Sequence, residues 1–200
     1  MPDVFPKNSK NTLNFSHNSI FDVYSHDFKN NGIDSLVDLK TFKEQFSSLS
    51  QPDLDKSSIL AIKILEVEVI YLKSTLEEFY FSLTEVVHSI ICIFNTDCKS
   101  VAYAGNGIFF VLSNKCLLKS SLFHEIEIQK FIDGKNLEYD NSDPLNIIIS
   151  VGNPIWPSKN AMQPEGLIFS SAIVRAENRS QRIIDDSKVH PSHSFYSSLV

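Results

Sequence analysis

The feature that most restricts this chain is the long apolar stretch between Asp55 and Phe94. Ile59, Ile62, Leu65, Val69, Leu72 and Leu76 recur at helical spacing, and Phe79 and Leu83 extend the stripe. Asp55, ahead of Lys56-Ser57-Ser58, is placed to cap its start. Ser82 or Thr84 is placed to divide it, with a second helix over 85–94 turning Val86, Ile90 and Ile93 inward. Ile64, Val67, Ile70 and Tyr71 fall in the same face, so the stripe is wide. A helix apolar on so many sides is sandwiched between partners. The expectation is burial in a bundle, or a homo-oligomer held through the helices of 56–94.

On either side the pattern changes. Residues 1–55 are rich in Asn, Ser, Lys and Asp, and read as a weakly structured polar extension. Within them, 33–46 carries Leu36, Leu39, Phe42 and Phe46 at amphipathic spacing. Residues 100–104 are β-prone and end in Gly105-Asn106-Gly107. The segment 108–118 reads either as an apolar helix or as a strand returning through that turn. Phe123–Phe131 alternates like a strand. Leu145–Val151 is an apolar run between Pro144 and Gly152, the mark of a buried parallel strand. Gly166–Val174 and 188–191 are further β-prone pieces. Strands separated by helix-sized segments predict an α/β domain over 56–200. Its expected architecture is a three-layer sandwich with a mostly parallel sheet flanked by helices.

Composition removes several functions. The net charge is −6, and arginine occurs only at 175, 179 and 182. Phosphate backbones need a basic face, so nucleic acid is an unsuitable partner. The strongest apolar run, near Val86–Phe94, is well short of the ~20 residues that span a bilayer. The first 18 residues lack the apolar core of a secretory signal. A cytoplasmic protein without a membrane partner is expected. Cys92, Cys98 and Cys116 are an odd number without a CxxC pair, so free thiols are expected rather than a disulfide framework. The six histidines are scattered, and His190 and His193 have no further ligand near them. Neither a metal nor another cofactor is expected.

Five short segments stand in a suggestive order: Tyr71-Leu72-Lys73; Cys98 to Gly107; Asn136-Leu137-Glu138-Tyr139-Asp140; Asp143 to Asn153; and Asp185 to His193. This order resembles the sugar isomerase (SIS) domain, and within it the phosphoheptose isomerase branch. That family has a strand ending in G-N-G-G-S and another ending in S-x-S-G-N-S. The resemblance implies a phosphorylated-sugar ligand, here of the sedoheptulose 7-phosphate kind. It implies binding through Asn106, Gly107, Ser150, Gly152, Asn153 and Ser192. In such a site, loop N–H groups and hydroxyls hold the phosphate while an acid/base pair converts ketose to aldose.

The chain departs from that pattern where chemistry is done. Ile108-Phe109 replaces the family's Gly-Ser, and the flanking serines of the second loop fall on Ile149, Val151 and Pro154. The positions of the family's His and Glu fall near Lys115 and Leu118, and no catalytic residue can be assigned. Isomerase activity is therefore expected to be weak or lost. A second reading is a PAS-like sensory or dimerisation module without enzymatic activity. The segment 108–120 separates the two: a helix favours the isomerase fold, and a strand paired with 100–104 favours the sensory one.

Overall fold

The computed structural model describes residues 35–114, 120–157 and 164–189. A short strand, β1 (Leu36–Val37), leads into α1 (Leu39–Ser47) and α2 (Gln51–Asp55). Next come β2 (Ser57–Ile64), α3 (Val67–Lys73), α4 (Leu76–Phe94) and a single 3-10 turn over Asn95–Asp97. Then β3 (Cys98–Gly105), β4 (Ile108–Asn114), α5 (Ser121–Asp133), β5 (Ile149–Val151) and α6 (Glu165–Val189) follow.

The strands form one five-stranded sheet in the order β1-β3-β4-β2-β5. Only β1 and β3 are parallel; the other three pairings are antiparallel. The sheet is thus mixed, and the expectation of a mostly parallel sheet is wrong. The expected helical layers are present on both faces. On one, α3, α4 and α5 bring Val67, Phe79, Leu83, Val86, Ile90, Phe94 and Ile128 against Leu60, Ile62, Ile64, Val101 and Phe109. On the other, α1 and α6 bring Phe42, Phe46, Ile168, Phe169, Ala172 and Ala176 against Ile59, Ala61, Phe110 and Leu112. Phe169 lies 5.2 Å from Phe110 and 5.5 Å from Phe46, ring centroid to centroid, as aromatic pairs prefer.

Covering both faces explains why the sequence misleads over 57–64. A central strand alternates its side chains between faces, and when both are buried it becomes apolar throughout. Ile59, Ile62 and Leu65 then fit a helical period by accident. The strand ends where Glu66 turns left-handed, at φ 51°, and the helix proper begins later than expected. Thr75 caps α4: its hydroxyl accepts from Glu78 N at 3.2 Å, while Glu78 Oε2 accepts from Thr75 N at 2.6 Å. This reciprocal pair, and not Asp55, starts the long helix.

Three β-prone readings also give way. Phe123–Phe131 lies inside α5, Gly166–Val174 lies inside α6, and of 188–191 the two described residues, Lys188 and Val189, are the end of α6. In α6, Ile168, Ala172 and Ala176 keep one helix face toward the sheet, and Ile183 further along is buried too. Of Leu145–Val151 only the last three residues are strand, and they pair antiparallel with β2. Phe42 and Phe46, in the segment read as an extension, are buried. Helix α4, run on to Asp97, is long and apolar enough by composition to span a membrane, contrary to the short run read from the sequence. Phe79, Leu83, Val86, Val87, Ile90 and Phe94 nevertheless pack against the sheet, as in a core helix.

Candidate functional site

The β3–β4 hairpin turn is where a backbone loop could meet a ligand, and its geometry decides what it can do. Gly105, Asn106 and Gly107 all have positive φ (89°, 50° and 70°), which suits glycine and asparagine. The segment 108–114 is a strand, so the helix required by the isomerase reading is absent.

The turn faces inward. Gly107 is buried, its N–H donates to the Tyr103 hydroxyl at 3.1 Å, and its carbonyl accepts from Ile64 N at 2.8 Å. A Cβ on Gly107 would lie 2.9 Å from Val67 Cβ and 3.2 Å from Ile64 Cβ. The space beside the turn is therefore filled by β2 and the start of α3. Burial pushes the Tyr103 hydroxyl above its ordinary pKa, so it stays protonated. Of the turn residues only Asn106 is exposed. At this end of the sheet, Glu66 and Glu68 are exposed, and Lys63 reaches Glu177 on α6 at 3.3 Å. The turn itself holds no carboxylate. Among the described residues, no group of three or more His, Cys, Asp or Glu could hold a metal ion.

The second group of expected site residues does packing work. Ser150 is buried and donates to the Ala176 carbonyl at 3.1 Å. Gly152 donates to Ala61 O at 2.9 Å and lies directly against α6. The Asn153 side-chain oxygen accepts from Ser121 Oγ at 2.5 Å, and its carbonyl accepts from Arg175. From Ile149 beside Ile64, the chain runs to Ile155 beside Ile59. Asn153 is thus carried away from Asn106, and the two groups form no common site. Ser192 lies outside the described residues, as do His190, His193 and Cys116.

Sequence reasoning missed the most elaborate polar cluster. Glu125 on α5 is fully buried. Arg179 of α6 donates to both its oxygens, through Nε at 3.1 and 3.0 Å and through Nη2 to Oε1 at 2.5 Å. Val151 N donates to Glu125 Oε2 at 2.9 Å. Four residues on, Gln129 Oε1 accepts from Ile149 N at 3.0 Å, and its Nε2 donates to Ile147 O at 2.8 Å. The available signal was polar residues sharing a face with Ile128 and Ile132 on one helix, and with Ala172, Ala176 and Ile183 on the other.

No family model and no curated protein matches the sequence. Solved structures do. The GGDEF domain of FimX from Pseudomonas aeruginosa superposes with a TM-score of 0.56 at 16% identity, over 74% of this chain and 90% of that one. The diguanylate cyclase SiaD, in complex with its activator SiaC, from the same organism gives 0.54 at 11% identity, over 86% and 66%. The GGDEF domain of DgcB from Caulobacter crescentus, in complex with c-di-GMP, gives 0.51 at 14%, over 68% and 85%. These likenesses overturn the isomerase resemblance, its phosphorylated-sugar ligand and the PAS-like alternative: the chain has the fold of a GGDEF domain.

Proposed function

We propose that this chain is a GGDEF-like domain that works without cyclase chemistry, as a regulatory module that docks another protein. The observation that carries this reading is the β3–β4 turn, which bears no acidic side chain and is packed against Ile64 and Val67. Phosphoryl transfer depends on carboxylate-held cations and preorganised donors around the phosphates. The string Gly-Gly-Asp-Glu-Phe, spelled by the name of the similar domains, does not occur in the sequence.

Docking is supported by the surface. Val69, Leu72, Leu76 and Phe81 on α3 and the first turns of α4 are large apolar side chains left exposed. Val69 and Leu72, three residues apart, share a face of α3, and exposed apolar groups that sit together mark interaction surfaces. A neighbour of the same fold, SiaD, is a complex with a protein activator. Binding of c-di-GMP, as in DgcB, finds less support here, because two of the three arginines are committed, Arg179 to Glu125 and Arg175 to the Asn153 and Pro154 carbonyls. A cytoplasmic location suits this role.

The test has two arms. The chain is incubated with guanosine triphosphate and magnesium or manganese, beside an active diguanylate cyclase. No diguanylate product is expected, and product above background would overturn the non-catalytic reading. A photo-crosslinker placed at Leu72 in the native cell is expected to trap a protein adduct. The same group at Lys40, on the opposite layer, is expected to trap none. Equal or absent adducts at both positions would overturn the docking role.

A further inference from the structure

The free edge of β5 carries a hazard that α5 neutralises. Residues 146–152 read Asn-Ile-Ile-Ile-Ser-Val-Gly, with no charge and no proline. Such a β-prone, uncharged segment on a sheet edge is a template for pairing with another chain. β5 is the terminal strand, and its inner side is satisfied by β2. Its outer side points the N–H groups of Ile149 and Val151 and the carbonyl of Ile147 toward α5.

The chemistry that meets them imitates a further strand. The Gln129 side-chain amide is the same functional group as a peptide unit. It donates to Ile147 O and accepts from Ile149 N, the pattern a residue of a parallel neighbour would make opposite Ile148. Glu125 accepts from the next outward N–H, that of Val151. The spacing makes this possible. Residues four apart on a helix are separated by about 6 Å along its axis, and alternate strand residues by about 6.6 Å. Two side chains one helical turn apart can therefore reach two successive outward N–H groups. Both are held in place: Gln129 also donates to Asp133 Oδ1 at 2.7 Å, and Glu125 is gripped by Arg179.

We propose that Glu125 and Gln129 form an edge guard, completing the outer hydrogen-bond ladder of β5 so that no strand of a second copy can pair there. This device is independent of the docking role proposed above, which uses α3 and α4.

The test begins with the unmodified full chain. Outward amides of an edge strand ordinarily exchange quickly. Here those of Ile149 and Val151 are expected to exchange as slowly as Val111 in the central strand β4. Exchange of both a hundredfold faster than Val111 would overturn the proposal without any variant. Gln129→Met then removes the amide while keeping the length. The Ile149-to-Val111 exchange ratio is expected to rise at least tenfold, and self-association by sedimentation to tighten at least tenfold. Using the ratio separates local opening from general destabilisation. Faster exchange at Ile149 with unchanged association would overturn the guard and leave an ordinary hydrogen bond. No change in either would overturn it altogether.

Discussion

Gly152 lies so close to Ala176 that a Cβ on it would stand 2.8 Å from the Ala176 backbone nitrogen and 3.2 Å from its α-carbon. The neighbour is helix backbone, which cannot swing aside as a side chain can. Gly152→Ala is therefore expected to push α6 off β5 and to cost at least about 2 kcal/mol, in the range of overpacked cores. Gly166→Ala is the control, since nothing lies within 4 Å of its Cβ position. In a helix it is expected to be neutral, or stabilising by up to about 1 kcal/mol. Urea unfolding of the two variants checks the contrast, and equal effects would contradict this packing.

The hairpin turn makes a second prediction. Gly107→Ala combines a left-handed φ of 70° with a Cβ 2.9 Å from Val67 Cβ. A loss of about 2 kcal/mol or more is expected. Tyr103→Phe removes only the hydroxyl that accepts from Gly107 N, and about 1 kcal/mol is expected. Denaturant midpoints in that order would support the inward-facing turn.

Removing Arg179 leaves a buried charge without its main partner. Arg179→Leu is expected to destabilise by about 3–5 kcal/mol, because Glu125 stays fully buried after the guanidinium is gone. Arg182, exposed three residues on, is the comparison, and Arg182→Leu should stay within about 0.5 kcal/mol. Thermal unfolding of the pair decides it.

Acid should loosen the start of α4. Glu78 is held below its ordinary value of 4.5, first by the hydrogen bond from the Asp140 N–H and then by those from Thr75. A lowered folded-state pKa means that the folded chain binds fewer protons than the unfolded one. The contribution is complete above pH 4.5 and is lost as the pH falls through the lower, folded value. Glu78→Gln should remove that pH-dependent part. Amide exchange at Asp140 followed between pH 5 and 3 is the measurement, and an identical profile in the variant would refute the assignment.

The thiols should separate cleanly. Cys98 is buried, and burial pushes its thiol up to about 12. Cys92 lies exposed on α4. The thiolate is the nucleophile, so iodoacetamide at pH 8 should alkylate Cys92 in the native chain and Cys98 only after unfolding. Mass mapping of the labelled peptides gives the answer.

Particular residues show how far the sequence could be read. Gly105-Asn106-Gly107 marked a turn, and the hairpin through it was one of two readings. The amphipathic spacing of Phe42 and Phe46 matched a real helix, and layers of helix on a sheet were legible from alternating segments. Ile59–Ile64 was not legible as a strand, because burial on both faces erases the alternation that distinguishes strand from helix. Leu167-Ile168-Phe169 and Ile173-Val174 look β-prone, yet the small residues Ala172 and Ala176 let a helix approach Gly152 closely, and that tertiary fit outweighs local preference. The Gly-Asn strings that suggested a sugar phosphate do backbone work instead. Short glycine motifs encode a conformation, and several unrelated folds need the same one. Glu125, Gln129 and Arg179 each sit on an apolar helix face, but their pairing was not legible, because the partners are 54 and about 20 residues apart in the chain.

The strand order carries a consequence for how the molecule assembles. β3 and β4 meet across two residues, Asn106 and Gly107, whereas Ile62 must wait for Val151, 89 residues later in the chain. Contacts between distant residues form late, because the loop must close before they bring any gain. The sheet should therefore grow outward from the hairpin, with β5 as its last strand. Until it docks, the outer side of β2 stands open, and during that interval a nascent chain of this kind is most in need of a chaperone.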